Sequence, residues 1–104
     1  MLSIENLRKL CHDKNIAMTK HANNRLRERS IDIDDVKHAI LCGEIIRQYE
    51  DDKPFPSCLI LGAAGNDKSI HVVASIDFEM LYIITAYHPD ENEWEYDLKT
   101  KRRQ

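Results

Sequence analysis

Apolar residues recur at three- and four-residue spacing through the first 43 residues, which is the pattern of amphipathic helices that share one core. Each of three such stretches follows a polar residue that can accept a hydrogen bond from the first helical turn. The predicted N-caps are Ser3, Thr19 and Asp32, the predicted helices cover residues 4–13, 20–28 and 33–42, and Gly43 closes the third. The sequence therefore predicts three short helices before residue 44.

From residue 44 onward the spacing changes to the alternation of β-strands. Four runs rich in β-branched and aromatic residues are separated by turns that contain Gly, Pro, Asn or Asp. The predicted strands cover residues 44–49, 58–62, 70–76 and 81–87, with room for a short edge strand at 94–96. The fold class is therefore α+β: three N-terminal helices packed on one face of a four-stranded antiparallel sheet, or a five-stranded one if 94–96 joins it. We expect residues 1–97 to form a single domain and residues 98–104 a basic C-terminal tail.

The hairpin between the last two predicted strands determines which side chains share a face. Pairing the strands around a four-residue loop places Ile76 opposite Leu81. His71 then lies opposite Ala86, and His88 is its diagonal neighbour, about 7–8 Å away. A slip of one residue would move each of these side chains to the other face, so the expectation holds only for this register.

Composition excludes several classes of protein. No apolar run approaches the roughly 20 residues of a membrane helix, and no signal-peptide pattern is visible, so we expect a cytoplasmic protein with no membrane partner. The three cysteines, Cys11, Cys42 and Cys58, form no Cys-x-x-Cys pair, and the histidines lack paired metal spacing. We therefore expect no metal and no other cofactor.

The formal net charge of −3 argues mildly against broad nucleic-acid binding, but it is unevenly distributed. Residues 1–48 carry nine Lys or Arg against seven Asp or Glu, whereas residues 49–104 carry six against eleven. A local basic patch can still hold phosphate on an acidic protein, because exposed charges are screened beyond about 8–10 Å.

The second predicted helix carries one such patch. His21, Arg25 and Arg29 are four residues apart and line its polar face. Cleaving RNA without a metal requires a base for the 2′-hydroxyl and cations for the charge that builds on the phosphate, and His and Arg supply these groups. The candidate catalytic residues are His21, Arg25, Arg29, His71 and His88, and the candidate substrate-binding residues are Tyr82, Tyr87 and Arg27.

The same residues also have plainer interpretations. A stripe of His and Arg on a surface helix is most often a solvated face with a partner such as Glu28, and a strand residue like His71 most often has a structural role. Two other classes of function therefore stay open. One is a non-catalytic nucleic-acid or protein-binding module, and the other is an accessory domain that pairs through a sheet edge or Trp94.

The run of residues 21–31, HANNRLRERSI, together with Tyr82–Tyr87 and the following Pro89-Asp90, resembles a family of small prokaryotic domains of unknown function. That family is typified by a His-Ala-x-x-Arg-x-x-x-Arg helix, and the resemblance covers roughly residues 18–96. It implies a toxin–antitoxin setting, and the layout is similar to RelE-like and MqsR-like toxins, whose α+β fold cleaves messenger RNA without metal. Two departures are Ser30, where relatives usually carry glycine, and an acidic rather than basic chain.

The resulting expectation is a metal-independent ribonuclease toxin that uses His as general acid or base and Arg to stabilise the phosphate. Its implied partners are RNA and a small antitoxin-like protein, and we expect a monomer or a weak homodimer. The acidic net charge argues against ribosome binding more than against hydrolysis of free RNA.

Overall fold

Three α-helices and five β-strands make up the fold in the computed structural model, which describes residues 1–103. In chain order the elements are α1 (Ile4–Lys9), a 3-10 turn (Asp13–Asn15), β1 (Ile16–Ala17), α2 (Lys20–Glu28), α3 (Ile33–Cys42), β2 (Glu44–Tyr49), β3 (Ser57–Ala63), β4 (Ser69–Asp77) and β5 (Met80–Tyr87). The predicted α+β class, the three helices and the four main strands are confirmed. In the described part of the chain no helix has the length and apolar character that crossing a membrane requires.

Each helix begins at the side chain that was predicted to cap it. Ser3 and Thr19 each accept a hydrogen bond from the backbone N–H three residues further on, at 3.2 and 3.0 Å. Asp32 and Asp35 form a capping box, in which each side chain accepts from the other residue's backbone N–H. Helix α1 ends earlier than predicted, at Lys9, because the chain tightens into the 3-10 turn before β1.

The sheet is mixed, with strand order β1-β5-β4-β3-β2. Strand β1 pairs parallel to β5, and the other neighbours are antiparallel, so the prediction of a purely antiparallel sheet is wrong. The fifth strand is not the predicted segment 94–96, since Trp94 forms only an isolated bridge with Lys101. Strand β1 could not be predicted from the sequence, because two residues are too few to show an alternating pattern.

The helices cover one face of the sheet. Helix α3 packs across β3 and β4, α2 lies along β5, and α1 lies beside α3. Arg8 joins α1 to α3, because its guanidinium donates to the carbonyls of Ile40 and Gly43 at 3.1 and 2.9 Å. The side chains of the core between helices and sheet include Leu7, Leu26, Val36, Ala39, Ile40, Ile60, Ile70, Val72, Leu81 and Ile83.

Two β-bulges set which side chains point away from the helices. Ile76 lies opposite Leu81 as predicted, but Val73 pairs with Thr85, so β5 has one extra residue at Ile84. The second bulge adds Ile46 to β2. We call the side of the sheet turned away from the helices the far face. Its side chains include Arg47, Tyr49, Ser57, Leu59, Leu61, His71, Val73, Ser75, Tyr82 and Tyr87.

Residues 90–103, which we call the C-terminal segment, fold back over the far face. The backbone N–H of Arg102 donates to the carbonyl of Glu93 at 2.8 Å, and Lys99 forms a 2.9 Å ion pair with Glu44 of β2. Residues 98–103 of the predicted tail therefore contact the rest of the chain. Gln104, the last residue of that tail, lies outside the described residues.

Close contact between α3 and β3 depends on two glycines. A Cβ at Gly62 would lie 2.5 Å from the carbonyl oxygen and 2.6 Å from the Cα of Ala39. Gly43, the predicted end of α3, does not need glycine's left-handed conformation, because its φ is −96°. It needs the absence of a side chain, since a Cβ there would lie 2.3 Å from the carbonyl of Ala39.

We therefore predict that Gly62→Ala destabilises the fold by about 2 kcal/mol or more, because α3 must move off the sheet to admit the methyl group. Urea unfolding measures this loss. Gly65→Ala is the matched control, since a Cβ there would meet only the Asp35 side chain at 3.4 Å. Equal unfolding free energies for the two variants would contradict the close packing of α3 on β3.

Candidate active site on the far face

His71 is the fully buried imidazole of the far face. The bulge at Ile84 brings it opposite Tyr87, whose hydroxyl lies 3.3 Å from Nδ1 of His71. On the other side of the ring, Nε2 lies 2.8 Å from the carbonyl oxygen of Leu98. The rings of Tyr87 and Trp94 meet the imidazole edge-on, at centroid distances of 5.3 and 4.5 Å. The imidazole is therefore held from both ends.

These contacts define the protonation state of His71. A carbonyl oxygen can only accept, so Nε2 must carry the proton that it donates to Leu98. In the neutral ring Nδ1 is then an acceptor, and the hydroxyl of Tyr87 donates to it. Burial is the main cause that lowers the pKa of His71; the charge of Arg47 lowers it further, and the hydrogen bond to the Leu98 carbonyl opposes this. A neutral imidazole with a lone pair directed at a tyrosine hydroxyl can accept a proton through it.

Tyr87 is half-buried and has cations and hydroxyls around it. Burial is the largest cause that raises the pKa of its phenol, and the neighbouring Tyr49 and Glu93 raise it further. The charges of Arg47 and Arg29 lower this pKa. The phenol therefore stays protonated at neutral pH, with two guanidinium groups close enough to act on it. This arrangement can donate a hydrogen bond, relay a proton and attract an anion.

Arg47 was not among the predicted site residues. The bulge at Ile46 places it opposite Leu59 on the far face, where its Cζ lies 5.4 Å from the centroid of the Trp94 ring. In sequence it looks like an ordinary solvent-facing residue of an alternating strand. The adjacent apolar pair Ile45-Ile46, which breaks the alternation, was the available signal for a bulge.

Of the predicted stripe on α2, the structure brings only Arg29 to this site. Its Nη1 donates to the Thr85 hydroxyl at 3.1 Å and to the Ala86 carbonyl at 2.8 Å, at the edge of β5 beyond β1. His21, Arg25 and Arg27 are exposed on α2. Arg29 is thus the residue of the stripe that lies close to Tyr87.

His88 does not neighbour His71, contrary to the predicted register. The extra residue Ile84 shifts the end of β5 by one position, so Tyr87 replaces Ala86 opposite His71. The Nδ1 of His88 lies 3.2 Å from the carbonyl of Ser69. Hydrogen bonds from the backbone of Asp32 and Gly65 are the main causes that lower the pKa of Asp35, and the charge of His88 adds to them. His88 therefore lies near the start of α3, on the helix side.

Tyr82 is on the far face but in a different row of side chains. It lies opposite Ser75, in the row that also contains Ser57 and Tyr49, and this row is four residues along β4 from His71. Tyr49 nevertheless belongs to the site, because its phenol raises the pKa of Tyr87. Within residues 1–103, no group of three or more His, Cys, Asp or Glu side chains is arranged to hold a metal ion. The candidate site is therefore the group formed by His71, Tyr87, Arg47, Arg29 and Tyr49, with Trp94 and the Leu98 carbonyl behind His71.

We predict that His71 makes the stability of the protein depend on pH. Its pKa is lowered in the folded state, so between that value and the ordinary 6.5 the unfolded chain binds the extra proton and the folded chain does not. The free energy of unfolding should therefore fall as pH drops below about 6.5, by at most about 1.4 kcal/mol per pH unit. His71→Gln, which does not titrate, should lose this component. Parallel curves for the two proteins from about pH 7.5 to 5 in urea unfolding would contradict a buried neutral His71.

A family model for a domain of unknown function, DUF4258, matches residues 18–88. The match includes Arg29, Arg47, Tyr49, His71 and Tyr87, and it ends before the C-terminal segment. No curated protein and no solved structure matches the chain. Since the family model covers more than half of its length, the chain belongs to the DUF4258 family.

Proposed function

We propose that this protein is a metal-independent endoribonuclease of the toxin type whose active site is the far face around Tyr87. The observation that carries the proposal is the hydrogen bond from Tyr87 to Nδ1 of a buried, neutral His71. A proton acceptor in that state, next to the hydroxyl of the half-buried Tyr87 and two arginines, meets the two requirements for cleaving RNA without a metal.

The proposed reaction begins with the 2′-hydroxyl of a ribose next to the oxygen of Tyr87. That hydroxyl gives its proton to Tyr87 as Tyr87 passes its own proton to Nδ1 of His71. The 2′-oxygen then forms a bond to the adjacent phosphorus, the bond from phosphorus to the 5′-oxygen breaks, and water protonates the leaving oxygen. The hydroxide formed from that water takes up the proton that the imidazolium returns through Tyr87, which restores neutral His71. The products are a 2′,3′-cyclic phosphate and a 5′-hydroxyl. The imidazolium keeps its hydrogen bond from Nε2 to the Leu98 carbonyl, which favours the charged ring.

Arginine side chains are proposed to stabilise the charge that builds on the phosphate. Arg47 is exposed on the far face, and both bonds from Arg29 to β5 use Nη1 alone. A guanidinium has five N–H donors, so Arg29 keeps others for a phosphate oxygen. His21, Arg25 and Arg27 would contact flanking phosphates along α2, which makes affinity depend on salt.

The toxin setting is supported by the resemblance of the His21–Arg29 helix to that of small prokaryotic domains, which are similar in predicted layout to RelE-like and MqsR-like toxins. We propose a cytoplasmic protein that is neutralised by a small antitoxin-like partner. The acidic net charge of −3 favours free RNA over the ribosome as its substrate.

We predict that Tyr87→Phe and His71→Gln each lower RNA cleavage by about 100-fold or more, because each interrupts the proton path while retaining most of the side-chain volume. Cleavage should be measured with purified protein and single-stranded RNA in EDTA, together with growth arrest on induced expression. Tyr82→Phe removes a hydroxyl from another row of the far face and should stay within about threefold of wild type.

His21→Ala separates this mechanism from one centred on α2. If His21 only contacts a flanking phosphate, the loss should be less than about tenfold and should shrink at low salt. If His21→Ala is inactive and Tyr87→Phe is active, the catalytic residues lie on α2 and not around Tyr87. RNA that is bound in a salt-dependent way but never cut would instead favour a non-catalytic binding module.

A further inference from the structure

The C-terminal segment packs closely on the site although it lies outside the region that the family model matches. Trp94 is only 3% exposed, whereas Tyr96, two residues later, is 99% exposed. Arg102 donates to the carbonyl of Glu91 at 2.7 Å and to the carboxylate of Glu95 at 3.2 Å, which closes the segment on itself. One aromatic side chain of an otherwise charged segment is thus buried, and it is buried against the site.

The indole of Trp94 contacts two residues of the proposed active site at once. Its ring meets His71 edge-on, with a centroid distance of 4.5 Å and an interplanar angle of 86°. The guanidinium of Arg47 lies over the same ring system, with Cζ at 5.4 Å from the centroid. Lys101 adds a second cation at 6.0 Å. Moving this one indole would release both His71 and Arg47.

Leu98 supplies the other contact to His71. Its φ of 60° lies in the left-handed region, which is unfavourable for a leucine. The backbone nevertheless holds this conformation, and its carbonyl oxygen accepts from Nε2 of His71 at 2.8 Å. The N–H of Leu98 donates to the carbonyl of Glu95 at 2.9 Å, which links the turn to the part of the segment next to Trp94.

We propose that the C-terminal segment is a positioning element of the active site, in which Trp94 and the Leu98 carbonyl keep His71 in its neutral Nε2–H form and keep Arg47 beside Tyr87. Without the segment the imidazole would face water, both neutral tautomers would be populated, and Nδ1 would no longer be reserved for Tyr87. The charged and titratable groups around this imidazole and its partner Tyr87 are Arg47 and Tyr49 from β2, Arg29 from the end of α2, and Glu93 and Lys101 from the segment. The effect on catalysis rests on the proposed function, whereas the effect on the His71 tautomer does not.

The test is NMR of protein labelled with ¹⁵N in its histidine rings, which reports the tautomer and the titration of His71 directly. Wild type should show His71 as a single Nε2–H tautomer that resists protonation as pH falls. Trp94→Leu keeps apolar bulk but has no ring, so it should show mixed tautomers and protonation of His71 at higher pH. Trp94→Phe restores an aromatic ring and should return the wild-type spectrum.

Cleavage provides the second readout. Trp94→Leu should lose about tenfold in RNA cleavage near pH 6, with recovery at higher pH, and Trp94→Phe should stay within about threefold of wild type. A purely structural role for Trp94 would lower activity equally at every pH.

A wild-type His71 spectrum in Trp94→Leu would overturn the proposal. If that variant does not fold, Lys99→Ala and Arg102→Ala loosen the segment through its exposed contacts alone and should move the spectrum in the same direction by a smaller amount. A His71 spectrum that is unchanged in both of these variants would also overturn the proposal. The two proposals fail in different ways. If the wild-type protein leaves RNA intact, the ribonuclease proposal fails, but the NMR spectra still show whether the segment holds the His71 tautomer.

Discussion

Two extra residues in the sheet determine the chemistry that its far face can present. A regular hairpin would place His71 opposite Ala86, but the bulge at Ile84 rotates the end of β5 so that Tyr87 reaches His71. The bulge at Ile46 does the same for β2 and turns Arg47 away from the helices. Bulges disrupt the ladder locally and expose backbone groups, so they persist where the redirected side chains compensate for that loss. Here both bulges redirect polar residues to one face.

The two faces of the sheet consequently bury different kinds of side chain. The helix side holds most of the apolar core, and α3 approaches β3 as closely as the missing side chain of Gly62 allows. The far face buries polar groups instead, with His71 and Ser57 fully enclosed and Ser75 nearly so. Among residues 1–103, no buried side-chain nitrogen or oxygen lacks a hydrogen-bond partner, so these polar groups are accommodated without an orphaned donor or acceptor. A buried imidazole with both nitrogens bonded has one defined tautomer, and this gives the far face a defined proton acceptor.

The periodicity of apolar residues was sufficient to predict the helices of several turns and the strands of several alternating residues. The N-caps Ser3, Thr19 and Asp32 and the four main strands were predictable because each has a strong local signal. Strand β1 was not, since two residues carry no period. The bulges were missed because one inserted residue changes the register while leaving the apolar pattern of each half-strand intact, so that only the adjacent pairs Ile45-Ile46 and Ile83-Ile84 mark them.

The same limits explain what could be predicted of the site. His71 and Tyr87 were identifiable by residue type, and they do come together, but their pairing depends on the bulge. Arg47 was missed because it occupies a position where alternation expects a solvent-facing residue. Trp94 was named only as a possible pairing surface and Leu98 not at all, because contacts between a charged terminal segment and a sheet face are long-range and leave no periodic signal. His88 was placed wrongly by the one-residue shift.

The position of bound RNA on the protein tests most directly whether the far face around Tyr87 is the active site. A short oligonucleotide with 2′-O-methyl riboses can bind but cannot be cleaved, and NMR shift changes on titration would locate it. We expect changes around Tyr87, Arg47, Tyr49 and the Trp94 indole, with smaller changes at Arg25 and His21. Changes confined to the exposed face of α2, with the Tyr87 and Trp94 signals unmoved, would contradict it.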